Sequence, residues 1–207
     1  IANETSSDDF GTFMTSGDLN QDGRIALAVS AYQYSSGTGR AYIFYNDGLY
    51  PSGAGSADVV ITGETTGDQF GSSLITGDFN ADGGTDIAIA GYAYSSSAGR
   101  AYIFYNDGSI PTTAATADVT ITGEATNSQF GLTMALGDFN GDGRTDLAVG
   151  APQYSTNTGR AYIFYNDGSI PTTAATADVI ITGEATAYGL GMALVSGDFN
   201  SDGGVDL

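Results

Sequence analysis

The 207-residue sequence has no cysteine, no histidine and no lysine. Without cysteine there are no disulfides, no thiolate metal sites and no thiol nucleophile, although that absence names no compartment. Without histidine or lysine, acid–base work near neutral pH falls to carboxylates or tyrosines. Five arginines face twenty-four acids, a formal net charge of −19. That balance argues against nucleic acid, which needs a basic footprint, and against anionic membrane surfaces. No apolar run approaches the length needed to span a bilayer, so no membrane insertion is expected. The chain opens Ile1-Ala2-Asn3 with neither a methionine nor a signal-peptide pattern. A mature or trimmed product, or part of a longer polypeptide, is therefore expected. Apolar content is ordinary and tyrosine and phenylalanine are plentiful, which allows a packed core and excludes global disorder.

The acids are not scattered. In Asp138-Phe139-Asn140-Gly141-Asp142-Gly143-Arg144-Thr145-Asp146, oxygen-bearing side chains fall at positions 1, 3, 5 and 9. Asp138, Asn140, Asp142 and Asp146 can point inward together, and the position-7 carbonyl of Arg144 adds a backbone oxygen. Hard oxygens converging in a tight turn suit Ca²⁺, which takes six to eight of them in flexible geometry. Gly143, at position 6, reaches positive φ without a Cβ clash. Two bare carboxylates about 4 Å apart repel by roughly 4 kcal/mol at an effective dielectric near 20, so the loop is poor without a cation.

The loop recurs every sixty residues. Asp78, Asn80, Asp82, the carbonyl of Gly84 and Asp86 form the copy before it; Asp198, Asn200, Asp202, the carbonyl of Gly204 and Asp206 form the copy after. The first copy offers Asp18, Asn20, Asp22 and the carbonyl of Arg24, but has Ala26 at the ninth position. A lone aspartate-rich turn is commonly an Asx turn; four in register point to one Ca²⁺ per loop, weakest at Asp18–Ala26. Eleven of the twenty-four acids lie in these loops, so bound metal would offset much of the charge.

Internal repetition frames the whole chain. Ile1, Ile61, Ile121 and Ile181 begin equivalent units, and residues 101–119 and 161–179 are identical. Within the third unit, strands are expected over Phe130–Leu136, Asp146–Gly150, Ala161–Tyr165 and Ala177–Gly183. The second of these alternates too little for a solvent-facing strand and reads as buried on both faces. The aromatic third strand ends at Asn166-Asp167-Gly168, read as a hairpin turn. No segment has a helical period. The expectation is an all-β chain: a β-propeller-type array of four-stranded blades, about sixty residues each. Blades are placed at 10–63, 70–123 and 130–183, with 188–207 a partial fourth, all within one partial propeller over 1–207.

Phe10-Gly11, Phe70-Gly71 and Phe130-Gly131, the Asp-x-Asn-x-Asp-Gly loops and Gly150-Ala151-Pro152 together resemble the FG-GAP repeat. The likeness covers nearly the whole chain. It implies the N-terminal β-propeller of integrin α subunits and related extracellular proteins, hence an extracellular or cell-surface location and a role in adhesion. Two departures stand out. Gly-Ala-Pro is Ser30-Ala31-Tyr32 in the first unit and Gly91-Tyr92-Ala93 in the second, and the family's common closed form has seven blades. An EF-hand reading fails, because the twelfth position from Asp138 is Val149 in an apolar strand rather than an acid.

Other repeated residues carry weaker signals. Arg40, Arg100 and Arg160 are expected to pair with acids of a neighbouring blade. Tyr34, Tyr94 and Tyr154, each before a Ser/Thr-rich loop, could instead form a sugar-stacking surface, although packing is the commoner use. Asn3-Glu4-Thr5 is a glycosylation sequon. Catalysis has little support, since the clustered carboxylates recur in every unit whereas an active site needs one asymmetric constellation. Three functions follow in order: a calcium-stabilised module for adhesion or protein–protein interaction, a structural subunit of an extracellular filament, sheath or surface layer, and a lectin. The partners expected are other protein chains or further units of the same polypeptide, with glycans a weaker option.

Overall fold

A computed structural model describes residues 7–207; the Asn3 sequon lies outside the described residues. Twelve strands form three four-stranded antiparallel sheets, each a simple meander in chain order. The first sheet holds β1 (Met14–Gly17), β2 (Ala26–Ala31), β3 (Arg40–Phe44) and β4 (Val59–Thr62). The second holds β5 (Phe70–Gly77), β6 (Asp86–Gly91), β7 (Arg100–Phe104) and β8 (Val119–Thr122). The third holds β9 (Thr133–Gly137), β10 (Asp146–Ala151), β11 (Arg160–Phe164) and β12 (Val179–Thr182). The fold is all-β with repeating blades, as the sequence predicts, and the blades do not close into a ring. In the fourth unit a single antiparallel bridge, Gly197 to Asp206, is formed.

The second strand of each blade is the driest. Every residue of β6 and β10 is buried, which accounts for their continuous apolar runs. The blades stack by interleaving side chains from both units. Ala41, Ile43 and Ile61 of the first blade meet Phe70, Ile87, Ile89 and Phe104 of the second in one core. Phe130, Val149, Tyr162 and Phe164 of the third blade close on Ala101, Ile103 and Ile121 of the second. Fully burying each valine, isoleucine or phenylalanine among them contributes about 1.5–3 kcal/mol. The phenylalanine of each Phe-Gly pair packs edge-on against a strand-three tyrosine: Phe10 on Tyr42, Phe70 on Tyr102 and Phe130 on Tyr162, with centroids 5.3–5.5 Å apart. Edge-to-face contact of this kind adds to simple area burial.

Neighbouring blades also touch through backbone. Gly39 bridges Phe70 and Gly99 bridges Phe130 in parallel fashion. At Gly99, with φ +83°, an added Cβ would lie 2.0 Å from the Phe130 carbonyl oxygen, so only glycine permits this approach.

Two local expectations change, and one set of loops takes an unusual form. Asn166-Asp167-Gly168 is no tight hairpin turn; it opens a long connection from Phe164 to Val179 that contains a 3₁₀ turn at Ala174–Thr176. The Asp178 carboxylate holds that connection by accepting the Tyr165 N–H at 2.8 Å. The third unit's first strand begins at Thr133 rather than Phe130. The Ser/Thr loops after Tyr34, Tyr94 and Tyr154 are left-handed turns, with Ser95, Ser96 and Ser97 at φ 49°, 58° and 57°.

Candidate metal centre

Each acidic loop joins the first two strands of its blade and folds round its own carboxylates. In the third loop Asp138 accepts the N–H groups of Asp142 and Gly143, both at 2.9 Å. Asn140 Oδ1 accepts the Asp142 N–H at 2.9 Å, and Asp142 Oδ1 accepts that of Arg144 at 2.9 Å. The same pattern recurs round Asp78, Asn80, Asp82 and Gly84, and round Asp198, Asn200, Asp202 and Gly204. The sixth-position glycines take positive φ, 85° at Gly143. The fourth position does so too, at Gln21, Ala81, Gly141 and Ser201, only one of which is glycine.

The ninth-position aspartates stand apart. Asp86 and Asp146 are fully buried. Asp146 Oδ2 accepts the Phe139 N–H at 2.9 Å and its Oδ1 accepts the Asn166 N–H at 2.8 Å. Asp86 does the same for Phe79 and Asn106, each at 2.8 Å. One carboxylate thus ties the loop, the second strand and the strand-three connection together. Burial pushes both acids above the ordinary carboxylate range, with Asp78 and Asp82 adding to it at Asp86 and Asp142 at Asp146; the backbone hydrogen bonds oppose the shift. Asp206 repeats only the loop half of the arrangement, accepting the Phe199 N–H at 3.0 Å.

Among the described residues, no three acidic side chains gather closely enough to form a metal cage as they lie. The carboxylates are instead folded onto loop amides, and the amide of Asn140 donates to Asp142, as that of Asn80 does to Asp82. The donor set still fits a hard cation, being all oxygen and brought within hydrogen-bonding distance of one short stretch of backbone. One orphaned atom points the same way. Asn20 Oδ1, at the third position of the first loop, is buried with no hydrogen-bond partner. An acceptor in that state is uncomfortable unless something electropositive meets it.

The profile of the FG-GAP repeat matches residues 70–104 and 130–164, each running from Phe-Gly through the acidic loop to the third strand. This chain contains two FG-GAP repeats. Phosphatidylinositol-glycan-specific phospholipase D of Mus musculus is 36% identical over 155 residues, which is 69% of this chain and 18% of that protein. Integrin alpha-PS2 of Drosophila melanogaster is 34% identical over 156 residues, 71% of this chain and 11% of the integrin. Integrin alpha-E of Mus musculus is 34% identical over 163 residues, 71% of this chain and 14% of that protein. The chain therefore spans less than a fifth of these relatives' length. Among its described residues no helix is long and apolar enough to cross a membrane.

Among the described residues, two of the three repeated arginines pair across blades. Arg100 reaches Glu64, in the connector leaving the first blade, at 3.1 Å, and Arg160 pairs with Glu124 in the next connector. Arg40, Arg100 and Arg160 also lie over the rings of Tyr34, Tyr94 and Tyr154 at 3.7–3.8 Å. One face of each of those tyrosines is thereby covered, in keeping with a packing role, while Tyr94 and Tyr154 also line surface cavities. The sequence offered a signal for this, a Tyr followed six residues later by Arg in three units. Asn106 and Asn166 were missed as members of the centre. They look like turn residues in sequence, yet their N–H groups cap the ninth aspartates while their own Nδ2 atoms stay buried and unpartnered.

Proposed function

We propose that this chain is an extracellular, calcium-stabilised FG-GAP blade module serving adhesion or protein–protein interaction, not catalysis. The carrying observation is the oxygen-only loop repeated in register at the joint between the first two strands of each unit. Asp138, Asn140, Asp142, the Arg144 carbonyl and Asp146 would hold Ca²⁺ in the third unit. The equivalent residues would do so in the second and fourth, and Asp18, Asn20, Asp22 and the Arg24 carbonyl in the first. Bound there, Ca²⁺ would supply charge neutralisation and cross-linking of loop to strand. The loop residues orient their oxygens, and the ninth aspartate anchors the loop to the neighbouring backbone. An extracellular setting suits sites tuned to about 10⁻⁴–10⁻³ M.

A non-catalytic role is supported by what the tyrosines do. Burial holds the phenols of Tyr102 and Tyr162 well above their ordinary range, and Tyr162 donates its hydroxyl to Glu124. That leaves no tyrosine acid–base pair poised for neutral pH at these positions.

A second reading, a repeating structural assembly, is favoured by the near-identity of the units, since residues 101–119 and 161–179 are identical. Calorimetric titration with CaCl₂ tests the calcium reading and should give up to four sites, the first loop weakest. Absence of heat and of any saturable site would overturn it. Light scattering at rising protein concentration separates a self-associating subunit from a module that stays monomeric.

A further inference from the structure

The blades carry a second feature, at the end opposite the acidic loops, where the connector entering a blade faces that blade's left-handed turn. In the second blade the residues Thr65–Asp68 and Ala93–Ser96 line a cavity of about 410 Å³. The third blade has the equivalent cavity, about 480 Å³, between Ala125–Asn127 and Gln153–Asn157. The two differ at one buried position. In the third blade it is Ser128, 1% exposed, whose hydroxyl is satisfied by donation to the carbonyls of Ala98 and Ala125 at 3.0 and 2.7 Å. In the second blade it is Asp68, 7% exposed, which lines the cavity. The Asp68 N–H donates to the Thr65 carbonyl at 3.2 Å, and the carboxylate Oδ2 is buried without a hydrogen-bond partner. A carboxylate in that position is costly unless a donor reaches it.

The obvious donor, Arg100, is committed to Glu64, to the Thr122 hydroxyl at 3.1 Å and to the ring of Tyr94. We propose that the cavity of the second blade binds a neutral polyhydroxylated ligand of monosaccharide size, one of whose hydroxyls donates to Asp68 Oδ2. Its volume falls in the range of small-ligand sites. The other polar side chains of its lining are neutral hydroxyls, from Thr65, Thr66, Tyr94, Ser95 and Ser96, groups that both donate and accept as a polyol does. Because Oδ2 is shielded, a bound group must shed its water, which is far easier for a hydroxyl than for a cation. The chain's net charge of −19 disfavours anionic ligands in turn.

The test uses ¹⁵N-labelled chain saturated with calcium. Glucose, galactose, mannose, N-acetylglucosamine and myo-inositol would each be titrated to about 50 mM, well past a millimolar Kd. At least one should shift the amides of Thr65–Asp68 and Ala93–Ser96 saturably, leaving Gln153–Asn157 unmoved. Asp68→Asn should weaken binding about tenfold or more, the loss expected for one charge-assisted hydrogen bond. Asp68→Ser, which installs the third blade's residue, should abolish binding and serves if the asparagine variant fails to fold. Ser128→Asp should create a second responsive set at Ala125–Asn127. The proposal is overturned if no polyol shifts these amides, if both cavities respond alike and Asp68 variants do not matter, or if Ser128→Asp confers nothing. Tighter, salt-sensitive binding of methylammonium would also overturn it, in favour of a cation site.

Discussion

The first and third blades share a fold but not an anchor. In the third, Asp146 holds the Phe139 and Asn166 N–H groups with its two oxygens. In the first, the same position is Ala26, fully buried in the strand, and Leu19 N–H turns to the Gly17 carbonyl at 3.0 Å instead. The loop residues respond as well. Asn140 Oδ1 accepts a backbone N–H, whereas Asn20 Oδ1 has no partner. The comparison separates the observed duty of the ninth aspartate, as a staple between loop and strands, from the metal-ligand role proposed for it. A blade can form without the staple, but its loop is left with an unmet acceptor.

The largest effect should come from breaking the staple where it exists. Asp146→Ala leaves two backbone donors without acceptors, at about 1–3 kcal/mol each, so a loss of about 2–6 kcal/mol is expected by denaturant titration in calcium. Asp146→Asn, which keeps an acceptor, should lose less. A loss under half a kcal/mol in the alanine variant would show that the staple carries no stability.

Next in size is the converse change, Ala26→Asp. With Leu19 and Asn46 N–H groups in the positions of Phe139 and Asn166, the new carboxylate should tighten calcium at the first loop about tenfold, one charged ligand's worth at roughly 1.4 kcal/mol. Calorimetry would read it, and equal affinity at all four loops before mutation would contradict the ranking.

Much of this was legible in the sequence and some was not, for physical reasons. The sixty-residue repeat, the Phe-Gly pairs and the run Asp146–Val149 disclose blades and a strand buried on both faces, because burial writes itself as composition. The arginine pairing across blades was legible because a strand-opening charge needs a partner. Asp146 reads as a metal ligand only, since its bond to Asn166 spans twenty residues and depends on how β10 and β11 pair. Ser95–Ser97 give no hint of left-handed geometry, because glycine, its usual marker, is absent there. Tyr94 looks like an exposed platform until the fold lays Arg100 across it.

A smaller effect is expected at the blade junctions. A double-mutant cycle on Glu124→Gln and Arg160→Lys should give a coupling of about 1 kcal/mol, the upper end for pairs still in touch with solvent. Zero coupling would mean that the apolar cores alone hold the blades in register. Smallest of all should be Gly84→Arg. The first and third loops use Arg24 and Arg144 to reach the carbonyls of Asn46 and Asn166, each at 3.2 Å. In the second, Gln21 of the first blade reaches Asn106 instead, at 2.6 Å. The new side chain would displace one flexible group with another, so a change within about 0.5 kcal/mol is expected by thermal melting.

The central claim is that calcium in these loops holds the blades together. With Kd near 0.1 mM and about 1 mM calcium, each occupied loop adds about 1.4 kcal/mol. Four loops then approach the whole net stability of an ordinary domain, about 5–15 kcal/mol. Thermal melting of the chain in 1 mM calcium and in excess chelator reads that sum directly. The melting midpoint should fall by about 10–20 °C on chelation, at about 2–4 °C per kcal/mol for a chain of this size. An unchanged midpoint would contradict the claim, leaving the acidic loops as turns that fold on their own hydrogen bonds.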